Sequence, residues 1–166
     1  MRPEVLGGAS HSSGSAEPRR DIVSHKTLID RGRGLKTEGV GKHVRLIGEI
    51  PGGHLMVDTG IPLQIVDGIA TGPAGAEAHA DLRDVITVLE GSLDIVIGEI
   101  LDPTVLIDKE GDAIATETRG TRILVEERMT LEAGDSYVVP MGKGHIHGNN
   151  PSTRTAISTF VKQPFV

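Results

Sequence analysis

From His43 onward the chain is a succession of short apolar runs, each closed by Gly, Pro or Asp. VRLIGEI, HLMV, PLQIVDGIA, DVITVLEG, SLDIVIGEI, TVLID, AIATE, RILVEE, SYVVP and TRTAISTFV follow one another in this way. Runs of this length suit strands, whereas an amphipathic helix needs ten or more residues at a 3.6-residue period. Across Ser92–Ile97, Leu93, Ile95 and Ile97 fall on one face, with Ser92, Asp94 and Val96 on the other. Aromatic residues are almost absent, only Tyr137, Phe160 and Phe165, so a core must be built from Val, Ile and Leu, which fits strands. No long amphipathic helix is expected. Asp108–Asp112 and Glu117–Gly120 read as hairpin turns. About ten short strands with frequent turns predict an all-β sandwich, barrel or jelly roll.

With 166 residues the chain is expected to form one domain with enough length to bury a core. Residues 1–20, rich in Gly, Ser, Ala, Pro and Arg, read as a flexible tail. Residues 21–61 read as N-terminal strands or an arm, in which DIVSHKTLIDRGRGLKTEGVGK is expected to be a short strand segment broken by glycines. Residues 62–166 hold the barrel. The net charge of −6, with both signs interleaved, argues against nucleic acid, as does the lack of aromatic platforms. No apolar run approaches the roughly 18 residues of a membrane span, and the N-terminus lacks an apolar signal-peptide centre. There are no cysteines, which excludes disulfides and thiolate ligands. A cytoplasmic protein is the expectation.

The chemistry concentrates in two segments. In GDSYVVPMGKGHIHGNN, Gly134–Asn150, His145 and His147 are two residues apart and so share a strand face. Upstream, in GPAGAEAHADLRDVITVLEG, Glu77, His79 and Asp81 recur at period 2, and Asp84 opens the next strong strand. If the two strands face each other inside a barrel, two or three imidazoles meet two or three carboxylates. That set suits Fe(II), Mn(II), Zn(II), Ni(II) or Co(II) and leaves room for water or substrate. His25, His43 and His54 stand alone and read as surface or core residues. Val57-Asp-Thr-Gly60 matches the aspartic-protease triplet, a match too short to carry weight. The glycines around His145 do not open a helix, so they form no phosphate loop.

The downstream segment resembles the second motif of the cupin superfamily: Gly, five residues, Pro, one, Gly, two, His, three, Asn. Gly134, Pro140, Gly142, His145 and Asn149 occupy every fixed position, a chance fit on the order of one in ten thousand. The first cupin motif is matched in altered form. Counting back from Gly91 puts its acidic position at Asp84, its second histidine at His79 and its first histidine at Glu77, with Gly72 leading. In a second alignment, with a bulged strand, His79 and Asp81 take the two histidine positions. The first alignment keeps the family spacing to Asp84 and Gly91, with Gly72 one residue closer than usual. The resemblance covers about residues 62 to 161 and implies a small cupin β-barrel (jelly roll) around a metal. By the same resemblance His79, Asp84 and His145 are metal ligands and Glu77 holds the fourth ligand position. The homodimer common in the family is likewise implied. The long segment from Gly91 to Gly134 is expected to add a hairpin or two, as a lid or as part of a dimer sheet.

The functional expectation is a metal-dependent enzyme acting on a small molecule at one divalent metal (Fe, Mn, Zn or Ni). Oxygenase chemistry ranks slightly ahead of isomerase, cyclase or lyase chemistry, because two histidines with one carboxylate resemble the facial ligand set of non-haem iron oxygenases. In an acid/base version, Glu77 or His147 moves the proton. The alternative is a non-catalytic binding or sensing module whose altered first motif holds metal weakly or not at all. A structural or storage role ranks last.

Overall fold

A computed structural model describes residues 23–35 and 39–164. The expected N-terminal tail, residues 1–20, lies outside the described residues. The chain runs α1 (His25–Leu35), β1 (Gly41–Ile47), β2 (Gly53–Thr59), β3 (Gln64–Val66), β4 (Ile69–His79) and β5 (Leu82–Glu90). It continues through β6 (Ser92–Ile100), β7 (Thr104–Ile107), β8 (Ala113–Glu132), β9 (Ser136–Val138), β10 (Gly144–Asn149) and β11 (Thr155–Pro164). All pairings are antiparallel. One sheet has the order β1-β2-β11-β5-β9 and the other β3-β4-β10-β6-β8-β7, with β4 also pairing β8. Among the described residues, no helix is long and apolar enough to cross a membrane.

Three apolar clusters follow from strand alternation. The central one takes Met56, Ile86, Val88 and Phe160 from the first sheet and Leu93, Ile95, Ile97 and Leu131 from the second, so it lies between the sheets. A second packs Leu28 of α1 on Ile47, Leu55, Val57, Leu89 and Ile157 of the first sheet. The third gathers Ala70, Ala76, Val96, Ile123 and Ile146 of the second sheet. Leu93, Ile95 and Ile97 do share a face, as expected. Because β6 is covered on both sides, Val96 and Asp94 are buried as well.

Two local expectations are corrected. The segment expected as a glycine-broken strand contains an 11-residue helix. Ser24 caps it, its Oγ accepting the Thr27 N–H at 3.1 Å, and Lys26 pairs with Asp30 one turn on. Burying Leu28 on the sheet contributes about 1.5–3 kcal/mol and offsets the two helix glycines. Gly32 is there for closeness, since a Cβ on it would lie 2.6 Å from Ile157 Cγ2. Glu117–Gly120 is no turn but the middle of the 20-residue β8. Gly120 is likewise a close-approach glycine, with Ile100 Cγ2 2.3 Å from where its Cβ would be. The Asp108 turn is present, with Asp108 Oδ1 accepting the N–H groups of Glu110 and Asp112.

Candidate metal centre

The polar end of the barrel is assembled by strand register. Glu77 and His79 lie two apart near the end of β4, so their side chains leave the same face. Across β4 and β10, Glu77 is paired with His145. Across β4 and β8, Glu77 is paired with Arg119 and His79 with Glu117. A tight turn at Ala80 and Asp81 returns the chain into β5, where Asp84 stands opposite Lys162 of β11. The Pro140–Gly142 turn clamps this arrangement from behind. Gly142, at φ 74°, adopts a conformation that favours glycine. Its N–H donates to the His79 carbonyl at 2.7 Å, and the Val139 N–H donates to the Asp84 carbonyl at 2.9 Å. The motif's fixed Pro and Gly thus hold the backbone of two residues that converge with His145.

Asp84 Oδ2 is 3.2 Å from His79 Nε2 and 3.2 Å from His145 Nε2. Glu77 Oε1 lies 3.4 Å from His145 Nε2 and 4.0 Å from His79 Nε2. All four residues are buried. Yet among the described residues neither oxygen of Asp84 and neither ring nitrogen of His145 has a hydrogen-bond partner. The atoms approach one another without hydrogen-bond geometry. One donor atom each from Glu77, Asp84 and His145 falls within 4.8 Å of the other two, and Glu77, His79 and Glu117 form a second such group. Buried carboxylates without donors are costly, and two imidazole nitrogens converging with a carboxylate oxygen are the donor set of a divalent transition metal. The residues fit such an ion.

The electrostatics reinforce the convergence. Burial alone raises the Asp84 pKa, but the contacts with His145 and His79 outweigh it and hold the carboxyl well below its ordinary range. Burial likewise raises Glu77, and contact with His145 together with the charges of Arg119 and Lys162 outweighs it, so Glu77 stays ionised. Burial lowers the His145 pKa, and its contacts with Asp84 and Glu77 more than reverse this, leaving it raised. Glu77 is held at both ends: Arg119 Nη1 lies 2.6 Å from Oε2, so Oε1 alone faces the histidines. Arg119 also grips Glu117, and Glu117 Oε2 is 4.0 Å from His79 Nδ1. Lys162 Nζ lies 3.2 Å from His79 Nε2.

The structure brings Glu77, His79, Asp84 and His145 together. Asp81, which the second alignment used, is exposed in the β4–β5 turn. His147 faces a different neighbour. Its Nδ1 is 3.3 Å from Asp58 Oδ2, and its ring lies against Phe160 at 4.7 Å between centroids. Asp58 is the aspartate of the short Asp-Thr-Gly triplet, buried in the barrel. Glu117 and Arg119, expected in a hairpin turn, and Lys162, expected in no site, join the cluster through strand pairing. The first two come from the long segment between the motifs, which builds β6, β7 and β8. Their signal was a Glu-Thr-Arg-Gly stretch, which reads as a turn until β8 is paired with β4.

No protein-family model matches the chain, and no curated protein does. Among solved structures, the chain is similar to a cupin-2 domain containing protein from Shewanella frigidimarina at 17% identity and a TM-score of 0.44, covering 86% of this chain and 100% of the other. It is similar to hydroquinone 1,2-dioxygenase from Sphingomonas sp. TTNP3 at 11% identity and a TM-score of 0.47, covering 98% and 92%. It is similar to a recombinant oxalate oxidase at 16% identity and a TM-score of 0.44, covering 97% and 68%. Two antiparallel sheets enclosing a shared core, with the Gly134–Asn149 segment delivering His145 to the interior beside β4, make this an all-β jelly-roll fold, the architecture that the cupin resemblance implied.

Proposed function

We propose that this chain is a metal-dependent enzyme acting on a small organic molecule, with one divalent ion (Fe, Mn, Zn or Ni) held by His79, Asp84, His145 and Glu77. The observation that carries this is the Asp84 carboxylate, buried, without a hydrogen bond, and 3.2 Å from the Nε2 atoms of both histidines. When bound, the ion would supply Lewis-acid or oxygen chemistry. Two histidines and a carboxylate favour an oxygenase over an isomerase, cyclase or lyase. Glu77, ionised and pinned by Arg119, serves better as a one-oxygen ligand than as a proton donor. His147, buried and backed by Asp58, is the better group to hold or move a proton. The half-buried Glu117, Arg119 and Lys162 form the side from which substrate enters. We also propose a homodimer that covers the β1 edge, where Val44 and Leu46 are exposed. Light scattering at twice the 17.5 kDa chain mass would support it, and a single-chain mass would refute it.

One observation favours a second reading, a binding or sensing module without turnover. Arg119 and Lys162 already bring two internal cations to the cluster. Metal content decides between the two. Mass spectrometry of tag-free protein should find a near-stoichiometric transition metal that is lost in His145→Ala. Iron would direct the search to oxygen-consumption assays, and zinc or manganese to isomerase and lyase substrates. A protein that is metal-free and refuses added Fe, Mn, Ni and Zn would overturn the enzyme reading and leave the binding module.

A further inference from the structure

We propose that Lys162 is the substrate-recognition residue of this site and that it selects a small organic monoanion, a carboxylate or an enolate. The inference rests on the metal-centre reading above. Lys162 belongs to neither cupin motif and reaches the cluster from β11, opposite Asp84 in register. Its Nζ donates to His79 Nε2 at 3.2 Å. That nitrogen has a single electron pair, which cannot go to both an ammonium N–H and a metal ion. Metal loading therefore frees the ammonium beside the ion.

The charges give the class of ligand. Glu77, Asp84 and Glu117 bring three formal negative charges to the cluster, and Arg119 and Lys162 bring two positive ones. The protein alone thus carries one net negative charge there, and a divalent ion turns this into one net positive charge. Arg119 is committed to Glu77 and Glu117, so the surplus sits on Lys162. A buried or half-buried charge needs a partner. A monoanion beside the metal supplies one through a charge-assisted hydrogen bond, whereas a neutral or cationic ligand leaves the surplus uncompensated. Lys162 is half-buried, so its head can turn between His79 and an incoming group. The same geometry makes Lys162 a competitor of the metal in the empty protein.

The full chain loaded with cobalt(II) tests this through its visible absorption, with acetate and acetamide as probes of equal size and different charge. Acetate should bind at least about tenfold more tightly than acetamide. Lys162→Met should lose most of that preference while taking up one cobalt per chain with equal or higher affinity, and Lys162→Arg should keep part of the preference. Equal binding of the two probes to the wild type overturns the proposal without any variant. So does an acetate preference that survives in Lys162→Met, since it then belongs to the metal alone. In both cases bound cobalt leaves the metal-centre reading standing. Failure of the wild type to take up cobalt removes that reading and this one together.

Discussion

Two aspartates on neighbouring parts of the barrel are each only 1% exposed, Asp84 and Asp94, yet their surroundings differ completely. Asp94, on the outward side of β6, is fully provided for. Oδ1 accepts from Thr130 Oγ1 at 2.6 Å and from Asn150 Nδ2 at 2.7 Å, and Oδ2 accepts from Arg128 at 3.1 Å. Asp84, facing the interior from β5, has no hydrogen bond to either oxygen among the described residues and faces two imidazole nitrogens. A buried carboxylate with a complete set of donors explains its own presence: it ties β6, β8 and the loop after β10. One whose neighbours converge without bonding it calls for something more. Burial alone therefore does not mark a functional acid; the state of its acceptors does.

The largest expected effect separates the two directly. Divalent cobalt or zinc at one hundred times its dissociation constant should stabilise the wild type by about 2.7 kcal/mol. Asp84→Asn should lose nearly all of that increment at the same metal concentration, and Asp94→Asn should keep it in full. Thermal melts with and without metal read the increment. A full increment in Asp84→Asn would break the contrast.

The next effect runs the other way. Asp94→Asn turns an acceptor into a donor that must face Arg128, Thr130 or Asn150, and it should cost about 1–3 kcal/mol of stability without metal. Urea titration measures it. A cost under about 0.5 kcal/mol would mean that the donors around Asp94 find water instead. A smaller effect belongs to the support of Glu77. Arg119→Met strips the buried Glu77 carboxylate of its donor, so it should weaken metal binding about tenfold or somewhat more and also lower the unfolding midpoint of the metal-free protein. Competition against a chromophoric chelator reads the affinity. An unchanged affinity would show that Glu77 is not a ligand.

What the sequence could disclose follows the range of the interactions. The Gly134, Pro140, Gly142, His145, Asn149 pattern is local, because its glycine and proline are demanded by one turn and its histidines by one strand. It could be read without a structure. Period 2 placed Glu77 with His79, and the alternation in β6 was legible for the same reason. Asp94 illustrates the limit. Its partners Thr130, Arg128 and Asn150 lie on other elements, 34 to 56 residues away, so nothing in its own strand distinguished it from a solvated residue. Glu117, Arg119 and Lys162 were hidden likewise, since each reaches the site through cross-strand pairing. The helix at His25–Leu35 was missed because its two glycines oppose helix by propensity, and only packing of Leu28 and Gly32 on the first sheet overrides this.

The smallest effect is one of slope, and it sharpens the contrast through pH. In the metal-free protein the pKa of His145 is raised above 6.5. Its contribution to stability is therefore fully present below 6.5 and is lost as pH rises through the raised value. Asp84 and Glu77 are depressed, so theirs is present above their ordinary values of 3.8 and 4.5 and is lost only as pH falls through the depressed ones. The metal-free fold should then draw most from this cluster between about pH 4.5 and 6.5. Metal binding has the opposite slope in the upper window, because the ion needs His145 deprotonated. Melting temperatures recorded from pH 5 to 9 should show the gap between metal-loaded and metal-free protein widening as pH rises past 6.5. Asp94→Asn should show the same widening from a lower baseline, since Asp94 is not among the groups that shift His145. A gap that is flat with pH would mean that protons and metal do not compete for His145, and would remove it from the ligand set.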